Sequence, residues 1–236
     1  MYKKSKILAI IPARKGSKGI KKKNLIKINN KTLVAHSINY CLRNKNLLDK
    51  IVVSSDDNQV LNETEINDLV VPQKRSKKLS QDSSKIIDVI KDITSSKDFS
   101  SFDIVVIIEP TCPFRKTKYL KTVLDSIINS KKDFVFTVSK IDKKFHPDKQ
   151  FVIKNNVKKL YSSKGKKISN RQELNSTFIK NGAIYAIKKN KLHNVKNFFD
   201  LNYNFIVTKE DMVNIDTIED LKYIQNIMNV KISIPK

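Results

Sequence analysis

Glycine is scarce in this sequence, with only four among 236 residues. That scarcity argues against a flexible glycine-rich linker, and it makes each glycine a marker of a backbone shape or close approach that a side chain would block. Cysteine is scarcer still. Cys41 and Cys112 stand far apart, and His36, His146 and His193 show no close spacing, so neither a disulfide framework nor a zinc-ligand cluster is available. No apolar run approaches the ~18 to 20 residues that a membrane helix needs. The run at 7–11 follows a basic N-terminus, as in a signal peptide, but it is too short and stops at Pro12. The expectation is a soluble, cytoplasmic protein. Acidic residues are also few, 23 against 47 Lys plus Arg, which gives a formal charge of +24. Such a balance attracts polyanions. Here, however, the basic residues are mostly lysines spread along the chain among Asn and Ile, a pattern of compositional drift rather than a patch.

The length suits one well-buried α/β unit and is too short for two large domains. Hydrophobic residues make up 39% of the chain, enough to fill a core. Short β-branched runs alternate with longer amphipathic segments, which predicts a mostly parallel, doubly wound (Rossmann-like) sheet flanked by helices. Strands are expected at 7–11, 50–54, 69–71, 104–108 and 134–138, and helices at 32–43, 58–66, 84–94 and 116–129. The continuous apolarity of the strands implies burial on both faces. From about 140 to 180 the pattern loosens, with short alternating runs at 150–153 and 158–161 that suggest a hairpin insertion. Further strands are expected at 182–187 and 204–207, and a helix opening near Thr217. There is no internal repeat, and the whole chain, 1–236, is read as a single domain.

Three glycines fall in two short segments: Gly16 and Gly19 in the loop 13–24, and Gly182 in Asn181-Gly182-Ala183-Ile184-Tyr185. The loop leaves the first strand at its carboxyl end, where open α/β sheets bind ligands. Its spacing matches neither the P-loop nor the dinucleotide fingerprint. Backbone N–H groups freed by glycine, together with Arg14 and nearby lysines, nevertheless suit a triphosphate; the alternative is a solvated basic loop. Ser54-Ser55-Asp56 and Glu109-Pro110-Thr111-Cys112-Pro113-Phe114-Arg115 end two more strands on the same rim. Asp56 reads equally well as a helix N-cap, and Cys112, with no base beside it, as an inert packing residue. Near the C-terminus, Asn214 and Asp216 are two residues apart in an extended segment and face one way, able to offer oxygens to a hard divalent ion. Asp216 could instead support the helix start, since Thr217-Ile218-Glu219-Asp220 resembles a capping box.

Together these segments resemble the acylneuraminate cytidylyltransferases, or CMP-sialic acid synthetases, and their bacterial relatives acting on legionaminic or pseudaminic acid. The resemblance runs in order over nearly the whole chain. The loop is similar to the family's Ile-Pro-Ala-Arg-x-Gly-Ser-Lys opening, and Ser54-Ser55-Asp56 to its second motif. Pro110-Thr111-x-Pro113-x-Arg115 resembles the third, and Ile215-Asp216-Thr217-x-x-Asp220 the last. The resemblance implies that CTP and an acidic nine-carbon α-keto sugar react to give a CMP-sugar and pyrophosphate, with Mg²⁺ or Mn²⁺ as cofactor. It assigns Arg14 and Lys23 to catalysis at the phosphates. The nucleotide would be held by Ala13, Gly16, Ser17, Asn24, Arg75 and Asp82. The sugar falls to Glu109, Arg115, Lys149, Arg171, Gln172, Asn181, Tyr185, Phe198 and Phe199, and the metal to Asp216 and Asn214. It also implies a homodimer, with residues 140–180 as a small β-rich dimerisation arm.

Two positions depart from the family pattern. Asn214 stands where many members carry a second aspartate, so one metal contact is weakened or moved to another carboxylate, Glu109 or Asp56, and Glu109 stands where glutamine is common. A carboxylate beside an acidic substrate repels it unless a cation or metal compensates, which points to a sugar other than N-acetylneuraminate or to altered metal binding. Lys23-Asn24-Leu25 argues against the related enzyme for the eight-carbon sugar KDO, which usually has Lys-Pro-Leu there. A basic nucleic-acid-binding protein is the rival from another class, but there is no aromatic-basic RNA platform and no DNA-reading motif. Neither nucleic acid nor membrane is expected as a partner.

Overall fold

A computed structural model describes residues 1–16, 19–64, 67–210 and 212–235. The elements follow in chain order: β1 (Ile7–Pro12), β2 (Lys27–Ile28), β3 (Lys31–Thr32), α1 (Leu33–Arg43), β4 (Lys50–Ser55), α2 (Asn58–Asn62) and β5 (Val70–Lys74). Then come α3 (Ile86–Ser95), β6 (Ile104–Ile107), α4 (Lys118–Asn129), β7 (Phe134–Lys140), β8 (Phe151–Lys154) and β9 (Val157–Leu160). The chain closes with β10 (Phe178–Lys188), β11 (Tyr203–Thr208), α5 (Ile218–Met228) and β12 (Ile232–Ser233).

Seven strands form one sheet in the order β11-β7-β10-β6-β1-β4-β5. β1 runs parallel to both β4 and β6, β4 to β5, and β7 to β11, whereas β10 is antiparallel to both its neighbours. The mostly parallel α/β sheet expected from the apolar runs is therefore present. Alternate side chains of β1 explain its two-sided burial. Ile7, Ala9 and Ile11 pack with α1 and α4 on one face, while Leu8 and Ile10 meet Ile87, Ile90 and Ile93 of α3 on the other.

A third apolar cluster fixes the site. Ile20, Ile26, Ile28 and Leu33 pack against Ile215, Leu221 and Ile224, so the first loop and the C-terminal segment share one small core. The three-stranded sheet β12-β2-β3 reinforces that union. Burying each isoleucine contributes roughly 1.5 to 3 kcal/mol, so the two ends of the chain are held together independently of any ligand.

Several boundaries differ from the periodicity. α2 ends at Asn62 rather than extending toward residue 66, because Glu63 and Thr64 already form a turn; residues 65 and 66 lie outside the described set. The expected strand at 182–187 begins four residues earlier, and its register against β7 shifts between Lys180 and Tyr185. The hairpin forms as β8 and β9 with Asn155 and Asn156 in left-handed turn conformation, φ 51° and 60°. Its Phe151, Ile153 and Val157 are exposed. Among the described residues no helix is long and apolar enough to cross a membrane.

Candidate active site at the carboxyl rim of the sheet

The carboxyl ends of β1, β5 and β6 open onto a cavity of about 580 Å³. Its wall includes Arg14, Gly16, Gly19, Lys23, Asn24 and Arg75 together with Glu109, Thr111, Asn214 and Asp216. The loop after β1 is braced from below. Ala13 N–H donates to the Ser54 carbonyl at 2.9 Å, and the Ser55 hydroxyl donates to the Ala13 carbonyl at 2.6 Å. Asp56 Oδ1 accepts from Lys15 N–H at 2.7 Å, whereas the N-cap of α2 is its neighbour Asp57. Asp56 is thus a support of the loop. Asn24 Nδ2 donates to the Arg14 carbonyl at 2.8 Å, pinning the loop's two limbs together. Ser17, expected among the nucleotide contacts, lies outside the described residues.

Gly19 explains how the C-terminal segment reaches this loop. A Cβ there would lie 2.1 Å from the Asp216 carbonyl oxygen, so only glycine lets the two backbones touch. Ile215 N–H also donates to the Thr111 carbonyl at 2.8 Å, tying the same segment to the loop after β6. Gly16 does not meet that requirement: a Cβ there would be 3.8 Å from Arg14 Nη1, an ordinary contact.

The charged groups are arranged in pairs. Arg14 Nη1 donates to Asp82 Oδ1 at 2.6 Å, and Lys23 Nζ to Asp216 Oδ1 at 2.8 Å. Arg75 is buried and donates to the Ser54 carbonyl at 2.8 Å and hydroxyl at 3.2 Å. Burial pulls its guanidinium down to about 10, partly offset by Asp56, so it stays cationic at neutral pH. Three cations therefore surround one cavity, an arrangement suited to several phosphate charges.

The helix cap and the metal assignment separate cleanly. Thr217 Oγ1 accepts from Asp220 N–H, and the Asp220 carboxylate accepts from Thr217 N–H and Asp216 N–H, completing the capping box. The Asp216 carboxylate takes no part in the cap and faces Lys23 and Asn214 instead.

The residues assigned to the sugar do not all line this cavity. Glu109 does, and burial raises its carboxyl pKa, with Arg115 pulling the other way. Arg115 itself is buried beneath the cavity and donates to the carbonyls of Glu109 and Ala183 and to the Ser37 hydroxyl, so its role here is bracing. Asn181 is likewise a buried knot: it accepts from the Thr137 hydroxyl at 2.7 Å and from Ala183 N–H, and its amide donates to Ser139 and Thr208. Tyr185, Phe198 and Phe199 join an aromatic cluster around Phe134 and Phe136, with Lys180 Nζ 4.9 Å from the Phe199 ring centre. Lys149 and Arg171 line a separate cavity of about 270 Å³ in the arm, with Gln172 exposed beside them. Sequence reasoning missed Ser84, Ile86 and Val89, which complete the wall of the main cavity opposite the loop. Lying in and just before an ordinary amphipathic helix, they carry no signal of their own. Cys112 is buried, and burial raises its thiol pKa, in keeping with inert packing.

A strand-end loop carrying Arg14 and Lys23, joined by Arg75 after β5 and by the Asp216 carboxylate at one cavity of a mostly parallel sheet, is an arrangement suited to the phosphates of a nucleotide. Residues 8–230 match the model of the cytidylyltransferase family, and the chain belongs to that family. It is 26% identical over 220 residues to an N-acylneuraminate cytidylyltransferase of Streptococcus agalactiae, covering 93% of this chain and 52% of that protein. The chain thus spans about half the length of the streptococcal relatives. A pseudaminic acid cytidylyltransferase of Campylobacter jejuni is 29% identical over 223 residues, covering 92% of this chain and 94% of the relative. In fold, a CMP:2-keto-3-deoxy-manno-octonic acid synthetase solved with CTP superposes with a TM-score of 0.73 at 16% identity, over 95% of this chain and 99% of that one.

Proposed function

We propose that this chain transfers the CMP group of CTP to the anomeric hydroxyl of an acidic, sialic-acid-like nine-carbon sugar, releasing pyrophosphate. The observation that carries this reading is the convergence of Arg14, Lys23 and Arg75 with Asp216 around one cavity at the strand ends. The sugar oxygen forms a bond to the α-phosphorus as the bond to the bridging oxygen of the β-phosphate breaks. Such a displacement needs positioning and charge neutralisation rather than a protein nucleophile. Among the described residues the cavity wall accordingly holds no His or Cys to pair with a nucleophile. Arg14 and Lys23 compensate triphosphate charge, and Arg75 adds a buried cation behind them. Family membership supports the cytidine nucleotide, and the relatives' named substrates support the sugar class.

The acidic side of the cavity suits Mg²⁺ or Mn²⁺. Asp216 and Asn214 offer oxygen donors, and Asn214 Oδ1 is buried with no hydrogen-bond donor in reach. Among the described residues no three His, Cys, Asp or Glu side chains gather into a complete metal cage. A cation that binds through one or two carboxylates and completes its sphere with phosphate and water matches such a site. When bound, the ion supplies positive charge to the phosphate oxygens.

A homodimer belongs to the same reading. The arm exposes Phe145, Phe151 and Tyr161, and the β10–β11 side exposes Phe178, Phe205 and Val207, an apolar surface that a second copy would cover. Since Lys149 and Arg171 stand apart from their own chain's main cavity, their sugar-binding assignment requires the arm of one protomer to reach its partner's cavity.

Incubation with CTP, Mg²⁺ and a panel of nonulosonic acids, with KDO included, tests the reaction through pyrophosphate release. Release is expected with at least one nine-carbon acid; release with KDO alone, or with none of the panel from folded protein, would reject the proposal.

A further inference from the structure

Two oxygen atoms converge on a spot left empty by the missing side chain of Gly182. A Cβ on that residue, held at φ 67° in the irregular stretch of β10, would lie 3.1 Å from Asn214 Oδ1 and 3.1 Å from Glu109 Oε2. Asn214 Nδ2 donates to Asp216 Oδ2 at 2.6 Å, while its Oδ1 borders the Gly182 gap. That oxygen is buried and receives no hydrogen bond. A buried amide oxygen left without a donor is a costly arrangement, and the other oxygen at the Gly182 gap belongs to a carboxylate. The cations whose fields reach Glu109 make their hydrogen bonds and ring contacts elsewhere: Arg115 with two carbonyls and Ser37, Lys23 with Asp216, and Lys180 against the Phe199 ring.

We propose that Glu109 is a ligand of the catalytic divalent cation, acting with Asn214 Oδ1 and Asp216, rather than a contact for the sugar. The inference rests on the cytidylyl-transfer reading and deepens it. All three groups line the same cavity and offer only oxygen, the donor chemistry of Mg²⁺ and Mn²⁺. With a neutral amide at 214, Asp216 alone would give the ion one negative charge; Glu109 supplies the second. The ion in turn removes the repulsion between Glu109 and an acidic substrate. Gly182 keeps the space beside Asn214 Oδ1 and Glu109 Oε2 open, since any side chain there would meet both oxygens.

The test is a titration of Mn²⁺ followed by the EPR signal of the free ion, with CTP present and sugar absent, on wild type, Glu109→Gln and Asn214→Leu. Each variant is expected to weaken Mn²⁺ binding by at least ~10-fold, a loss that even outer-sphere partners of a metal cause. The double variant Glu109→Gln/Asn214→Asp, which moves the charge across the gap, is expected to recover most of it. Wild-type Mn²⁺ affinity in a folded Glu109→Gln protein, with a raised KM for sugar, would overturn the proposal and return Glu109 to the sugar. Failure of the wild type to bind Mn²⁺ would also overturn it. Firm, Glu109-dependent Mn²⁺ binding without pyrophosphate release from any sugar would instead sink the transfer reaction and leave the ligand assignment standing.

Discussion

Asp216 and Thr217 are adjacent in sequence, yet their side chains serve different ends. Thr217→Ala removes the cap of α5 and is expected to cost about 1 kcal/mol of stability while leaving metal-dependent turnover in place. Asp216→Asn should do the reverse, sparing the thermal midpoint and abolishing metal-dependent activity; paired melting curves and Mg²⁺-activation curves separate the two. At the loop, Gly19→Ala drives a Cβ into the Asp216 carbonyl and should lower turnover by ~10²-fold, the scale of a misplaced site. Gly16→Ala meets no such backbone and should change turnover far less. Sequence alone singled out the loop and Asp216, because a strand-end position and an extended two-residue spacing are local features. It left Asp56 and Asp216 ambiguous between cap and site, since a carboxylate before a helix looks the same in either role until its partners are known. It also grouped Arg115 and Asn181 with the sugar ligands, although their hydrogen bonds go to carbonyls and hydroxyls of distant segments.

At the scale of elements, β1, β4, β6 and β7 were legible because strands buried on both faces read as unbroken apolar runs. Strand direction was not legible. β10 is antiparallel amid parallel strands, and neither its early start nor its irregular register has a periodic signal. The two-residue strands of the small sheet β12-β2-β3 are too short to carry any pattern. One contact beyond β11 makes a pH prediction. Glu210 accepts from Lys118 Nζ at 2.5 Å and from the Tyr119 hydroxyl, both on α4, and these bonds hold its carboxyl at about 2, below its ordinary 4.5. A depressed carboxyl stabilises the fold above its unfolded pKa and loses that contribution as pH falls through the folded value. Thermal midpoints of Glu210→Gln and wild type should therefore differ near neutrality and converge between pH 4.5 and about 2.

For the molecule as a whole, the +24 charge does not need a polyanionic partner to explain it. Among the described residues Arg14, Lys23 and Arg75 line one cavity at the rim of the sheet, whereas many other lysines are dispersed over the surface. What joins the molecule into a working unit is the small core of Ile20, Ile26, Ile215 and Leu221, which docks the C-terminal segment on the first loop and brings Asp216 to the cavity that Arg14 lines. The loop from 13 to 24 is accordingly the centre of the account. Calorimetric titration of the four ribonucleoside triphosphates in the presence of Mg²⁺, on wild type and Arg14→Ala, tests it most directly. CTP is expected to saturate one site per chain, with ATP and GTP far weaker and Arg14→Ala losing the CTP signal. A folded wild type that ignores CTP, or that binds all four alike with Arg14→Ala unchanged, would contradict it.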